Sequence, residues 1–267
     1  MFSVIIPLFN KQQYIKRAIL SCLNQSFSDY EIIVIDDNSC DLSLQILNEF
    51  KDKRIKIIKN KENKGTFASR NYGLLNAKND FICFLDPDDY FLKDAFLHLK
   101  NSINEADIVC FNAFVHRVKT KEFYSYENAF FKKDEHLLFL LKQRHFCWSV
   151  WAKLFKKELL FNALKYLKIN EHLCYFEDFL LCFCAFNLAK TIKISKKIIY
   201  QYEFSEDGIY ESKLRLKQNY NDFLKVKEYI LYLMQNDFKN QLFNEKIKLV
   251  LDKNQKDLLH RIQKEAL

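Results

Sequence analysis

A chain of 267 residues with 49% hydrophobic and 16% aromatic residues buries a full core, as one large domain or a domain with an appendage, which excludes intrinsic disorder. The formal charge is +8, of which segment 213–267 carries +5; charge concentrated in the tail, without a nucleic-acid motif, argues against a nucleic-acid partner. Eight cysteines without a Cys-x-x-Cys pair exclude a disulfide framework and a zinc site, and read as reduced, mostly buried thiols of a cytosolic protein.

In chain order, Met1-Phe2-Ser3-Val4-Ile5-Ile6-Pro7 has no basic leader and no cleavage pattern, and reads as a first strand. Residues 31–35, 55–58 and 81–85 are further apolar runs rich in β-branched residues, the mark of strands buried on both faces. Between them, Tyr14/Ile15, Ala18/Ile19 and Cys22/Leu23 share one helical face, Leu42, Ile46 and Phe50 another, and a third helix is expected over 66–77. Strands recurring about every 25–30 residues predict a mainly parallel, twisted α/β sheet with helices on both faces and right-handed crossovers. Later, 107–118 reads as a strand, 134–144 and 152–165 as helices, 176–189 as an apolar helix and 192–204 as a strand. From Lys213 the pattern is helical, with Tyr220, Phe223/Leu224, Lys227 and Ile230/Leu231 on one face. The longest apolar run, Phe179–Phe186, is shorter than the ~18 residues of a membrane span. A soluble or peripherally membrane-bound protein is therefore expected.

Ligands of such sheets bind outside the carboxyl ends of the strands. The first, second and fourth strands end in Pro7-Leu8-Phe9-Asn10, Asp36-Asp37-Asn38-Ser39 and Asp86-Pro87-Asp88-Asp89. Carboxylates converging on one edge repel one another, and a hard divalent cation shared with substrate phosphates relieves that repulsion. Asp36 and Asp37 also suit a helix cap and a turn. Three acids in four residues after a buried strand are harder to place structurally.

Ser3–Asn10, Glu31–Ser39, Asn63-Lys64-Gly65 with Ala68-Ser69-Arg70-Asn71, and Phe84–Asp89 together resemble the family 2 glycosyltransferases of GT-A fold, over about residues 1–120. Trp148–Phe155 and Phe176-Glu177-Asp178 extend the resemblance, which is nearest to bacterial lipooligosaccharide galactosyltransferases. It implies a GT-A Rossmann-like domain over 1–212, with a nucleotide-sugar half (about 1–120) and an acceptor half (about 121–212), followed by a basic helical region at 213–267. It implies that Pro7 and Phe9 line a uracil pocket, Asp37 accepts from the uracil N3–H, Asp36 supports the loop, and Arg70 reaches the base or diphosphate. Asp86 and Asp88 match the Asp-x-Asp motif that carries Mn²⁺ or Mg²⁺, with Asp86 also able to serve the ribose; Asp89 is a second-sphere or sugar contact. Asp178 matches the catalytic base, with Glu177 competing. The partners implied are a UDP-sugar, galactose first, and a cell-surface glycan or glycolipid acceptor, on the cytoplasmic side of the inner membrane.

Trp148 and Trp151 suit an acceptor platform or an aromatic core. Lys153 reads by default as a solvated lysine. The basic tail suits contact with an anionic membrane surface, or packing of its apolar face on the protein. Other uses of the same pattern are a UDP-sugar transferase of capsule or O-antigen synthesis, and a silent nucleotide-sugar-binding or membrane-docking protein.

Overall fold

Strand β1 (Phe2–Leu8) lies between two parallel neighbours, β2 (Tyr30–Asp36) and β4 (Phe81–Phe84), and β3 (Ile55–Lys59) adds in parallel outside β2. This is a computed structural model, and it describes residues 1–116, 121–124, 126–132, 135, 137, 139, 147–167, 172–203 and 215–265. Every residue of β1 is buried, because its two faces supply two cores. Ile5, Ile33 and Ile35 face α3 (Thr66–Asn76), while Val4, Ile6, Ile32 and Val34 face α1 (Ile15–Leu23). Continuous apolar strands are the consequence of covering both faces of a parallel sheet. The short α2 (Ser43–Asn48) and α4 (Ala95–Asn101) complete the side that holds α1.

Helix α3 sits so close to β1 that a Cβ on Gly73 would lie 2.4 Å from Ile5 Cγ2. Only glycine permits that approach. Pro7 is tolerated inside a central strand because β4 pairs with β1 only along Ser3–Ile5, so an N–H is not needed beyond it.

Past β4 the sheet turns mixed. Strand β9 (Lys153–Lys156) runs antiparallel between β4 and β6 (Ile108–His116), and β10 (Thr191–Tyr202) is parallel to β6. Antiparallel β5 (Tyr90–Phe91) and β8 (Ala129–Lys132) flank β10, and β7 (Lys121–Tyr124) flanks β6. The order is β3-β2-β1-β4-β9-β6-β10-β5. The helix expected over 152–165 is instead strand β9 followed by α5 (Lys157–Tyr166): pairing with β4 and β6 overrides local pattern at Leu154 and Phe155. The helix expected over 134–144 falls mostly outside the described residues.

Helix α6 (Glu177–Leu188) is buried without interruption from Phe179 to Phe186, as a helix apolar all round must be. Helices α7 (Leu216–Asn236) and α8 (Gln241–Glu265) lay Phe223, Ile230, Phe243 and Ile247 into the same core. Phe243 stacks on Phe183, with centroids 6.1 Å apart and planes 8° from parallel. The apolar face of the tail thus packs on the protein itself, and Lys227, expected on that face, pairs with Asp252 of α8 at 2.7 Å. Among the described residues no helix is long and apolar enough to cross a membrane.

Candidate active site

The ends of β1 and β2 are knitted together by their own loops. Asp37 N donates to Leu8 O (2.7 Å), Asn10 N to Ser39 Oγ (3.1 Å), and Cys40 N to Asn10 Oδ1 (2.9 Å). Asn10 and Asn38 both adopt left-handed backbone (φ 50° and 64°), which asparagine tolerates better than most residues. Phe9, half-buried, and buried Pro7 lie on this edge. Asp36 is fully buried; its Oδ1 accepts from Ser39 N (3.1 Å), and its Oδ2 has no hydrogen-bond partner among the described residues. Asp37 is the anchor of the following loop, accepting from Asn60 Nδ2 (2.7 Å), Lys64 N (2.9 Å) and Gly65 N (2.8 Å). A carboxylate offers about four acceptor sites, so roughly one remains for a ligand. Gly65 has φ 87°, and a Cβ there would meet Leu173 O at 2.8 Å.

The carboxylates after β4 have three different surroundings. Asp88 Oδ2 accepts from Lys11 Nζ at 2.8 Å, and its backbone carbonyl accepts from exposed Arg17. Asp89 is 1% exposed and accepts from Tyr200 Oη and Glu203 N, both at 2.8 Å; it ties the loop to the end of β10. Burial pushes its carboxyl well above the usual range, and Asp88 and Asp86 add to the rise. Tyr200 also accepts from Asp86 N (3.2 Å), and its ring stacks on Trp151 at 5.1 Å. Trp151 is therefore a buried ring behind the carboxylate loop, not an open platform.

Asp86 faces Arg70 of α3, whose Nη2 donates to Asp86 Oδ1 at 2.7 Å while Nη1 donates to Glu177 Oε1 at 2.5 Å. Burial raises the Asp86 carboxyl against the pull of Arg70. Burial likewise drives Glu177 up to about 8. Burial opposes the charge on Arg70, but Asp86, Glu177 and Asp178 outweigh it and hold the guanidinium protonated. Asp178, the next residue of α6, is half-buried and accepts from Phe179 N at 2.8 Å. Trp148 is half-buried against Phe179 (4.8 Å) and Phe186 (5.8 Å). Lys153 is not solvated: it is 2% exposed and donates to Cys147 O (2.9 Å) and Ser149 O (2.6 Å).

The fold thus gathers Asp86, Asp88, Arg70, Glu177 and Asp178 into one charged cluster, with Asp36 and Asp37 on a neighbouring strand end. Two further residues reach these acids, Lys11 through Asp88 and Tyr200 through Asp86 and Asp89. Lys11 directly follows the first strand-end motif, a usable signal, whereas nothing in the sequence marks Tyr200. Among the described residues no three His, Cys, Asp or Glu side chains form a ready-made metal cage. Two hard carboxylates, Asp86 and Asp88, still fit Mn²⁺ or Mg²⁺ that takes its other ligands from phosphate and water.

Residues 3–161 match the family described as glycosyl transferase family 2. The chain is 29% identical over 281 residues to the minor teichoic acid biosynthesis protein GgaB of Bacillus subtilis, covering 95% of this chain and 31% of that protein. It is 37% identical over 133 residues to the Escherichia coli enzyme named UDP-Glc:alpha-D-GlcNAc-diphosphoundecaprenol beta-1,3-glucosyltransferase WfaP, covering 49% of this chain and 47% of that one. The chain spans less than half the length of either relative. In fold it is similar to S. aureus TarS 1-349, solved in complex with UDP-GlcNAc, with a TM-score of 0.72 at 23% identity over 97% of this chain and 72% of that one.

Proposed function

This chain belongs to glycosyl transferase family 2, and from that premise we propose that it is an inverting, metal-dependent enzyme that transfers a hexose from a UDP-sugar to a cell-surface glycan acceptor. The observation that carries this reading is the charge cluster itself: Arg70 joins the strand-end carboxylate Asp86 to the first turn of α6, and the charges of Asp88 and half-buried Asp178 both act on Asp86.

In this reading Phe9 and Pro7 line the base pocket, Asp37 offers its remaining acceptor site to the uracil N3–H, and Asp36 supports the loop. Mn²⁺ or Mg²⁺, held by Asp88 and Asp86, supplies Lewis-acid stabilisation of the departing diphosphate. Asp178 takes the proton from the acceptor hydroxyl while that oxygen bonds to the anomeric carbon and the bond to UDP breaks. Glu177 is a poorer base, since it is buried and already bound to Arg70. Trp148 is the more accessible of the two tryptophans for an acceptor sugar.

Galactose transfer to a lipooligosaccharide is the form that the sequence motifs resemble first, and neither relative described above carries that specificity in its name. The donor and acceptor in the name of WfaP favour glucose and a lipid-diphosphate-linked glycan instead. Such an acceptor suits peripheral contact with an anionic membrane from the cytoplasmic side, through the tail. Leu242 and Leu249 are exposed on α8, among Lys246, Lys248 and Lys253. The test is transfer from a panel of UDP-hexoses with Mn²⁺, in wild type and Asp178→Asn. Turnover that falls roughly 10²–10⁴-fold in the variant, with UDP affinity kept, supports the assignment. A wild type that binds UDP yet turns over no donor sinks it.

A further inference from the structure

Arg70, which the resemblance sends to the base or diphosphate, is held in this structure between two acids of the site. Arg70 is 5% exposed, and its two terminal nitrogens are taken up by acids from opposite sides of the site: Asp86, after β4, and Glu177, at the first turn of α6. These acids are 91 positions apart in sequence, and one rigid guanidinium fixes the geometry between them.

We infer that Arg70 is a positioning residue, a buried strut that sets the first turn of α6, and with it Asp178, against the donor carboxylate Asp86, with Glu177 as its anchor and not as the base. The inference rests on the glycosyltransferase reading above. Both ends of the strut are seated firmly. Arg70 stands three residues before Gly73, where α3 is pressed onto β1 too closely for any side chain. At the other end Phe176 enters α6 with left-handed backbone, φ 65°, an uncommon conformation for an aromatic residue. That turn is held by Phe176 stacked on Phe179 (4.6 Å, 12°) and by the Glu177–Arg70 pair that follows it. Strained backbone of this kind persists where surrounding contacts over-determine it, and it concentrates at functional sites. Asp178 has no strut of its own; its place is set by its neighbour.

A misplaced base lowers turnover without weakening the donor pocket. Glu177→Leu, which removes the acceptor for Arg70, is therefore expected to cut kcat roughly 10- to 100-fold, while donor KM and UDP affinity by calorimetry stay within about threefold. Arg70→Lys, which keeps the charge but loses the fork, should show the same split. The double variant should be about as slow as the slower single one, because both changes break one link. Effects that multiply in the double variant, or a Glu177→Leu enzyme with full turnover, would overturn the strut. So would equal losses in kcat and UDP affinity. Arg70→Lys risks misfolding, and in that event the kcat–KM split of Glu177→Leu decides alone, read beside an unchanged circular dichroism spectrum. A wild-type chain that binds no uridine nucleotide fails the donor-pocket reading itself, a distinct result that removes the premise of the strut as well.

Discussion

Lys11 Nζ lies 2.8 Å from Asp88 Oδ2, so the carboxylate assigned to a divalent cation carries a side-chain cation in this structure. Both groups are mostly buried, at 11% and 18% side-chain exposure, and the pair is only partly screened. In the proposed reading a divalent cation at Asp88 competes with Lys11 for this carboxylate. Lys11→Met is accordingly expected to bind Mn²⁺ more tightly in the absence of nucleotide, by roughly tenfold, as measured by electron paramagnetic resonance titration. Unchanged or weaker binding would show that Lys11 does not compete for the site.

Glu177 gives stability a pH dependence with a definite sign. Its ordinary value is 4.5, and burial raises it to about 8 in the fold. The folded chain then keeps a proton that the unfolded chain has lost, so this contribution is complete below 4.5 and lost as pH rises through about 8. Asp86 and Asp89 are raised by burial as well and act in the same direction. Asp52, held to about 2 by Arg54, matters only in more acidic solution. The Tm should fall between pH 5 and pH 8, and Glu177→Gln should flatten that slope. Parallel slopes for the two proteins would refute the assignment.

The close approach of α3 to β1 is tested by Gly73→Ala. The added Cβ would stand 2.4 Å from Ile5 Cγ2, on a stiff β-branched side chain in a fully buried strand. Overpacking of this kind costs about 1–3 kcal/mol, read as a lower midpoint in urea unfolding. A neutral result would mean that α3 can lift from the sheet.

The C-terminal helices belong to the same core as α6, and Phe243 is one of the residues that join them to it. It is fully buried and stacks on Phe183. Phe243→Ala should destabilise the protein by about 3–5 kcal/mol. Chemical denaturation should show one transition that moves as a whole. A separate early transition confined to the tail would show that α7 and α8 fold apart from the rest.

The sequence alone determined the parallel half of this protein. The runs at 2–6, 31–35, 55–58 and 81–85 become β1 to β4 with helices between them, because strands buried on both faces leave an unbroken apolar signal. The strand-end carboxylates were legible for the same reason: polar residues that interrupt such a run mark where the sheet meets its ligand. The second half was less legible. Leu154 and Phe155 read as helix but pair as a strand, since their partners on β4 and β6 lie over forty residues away. Lys153, solvated by default, is buried because the carbonyls of Cys147 and Ser149 fold back over its ammonium group. The division of labour among the acids belongs wholly to the tertiary structure. Asp86, Asp88 and Asp89 are chemically alike in sequence, yet Arg70, Lys11 and Tyr200 give each a different partner. Glu177 and Asp178 are neighbours in the chain, yet Arg70 pairs with buried Glu177 while Asp178 stays half-buried. Electrostatic roles depend on which charges meet across space, and local sequence carries no record of that.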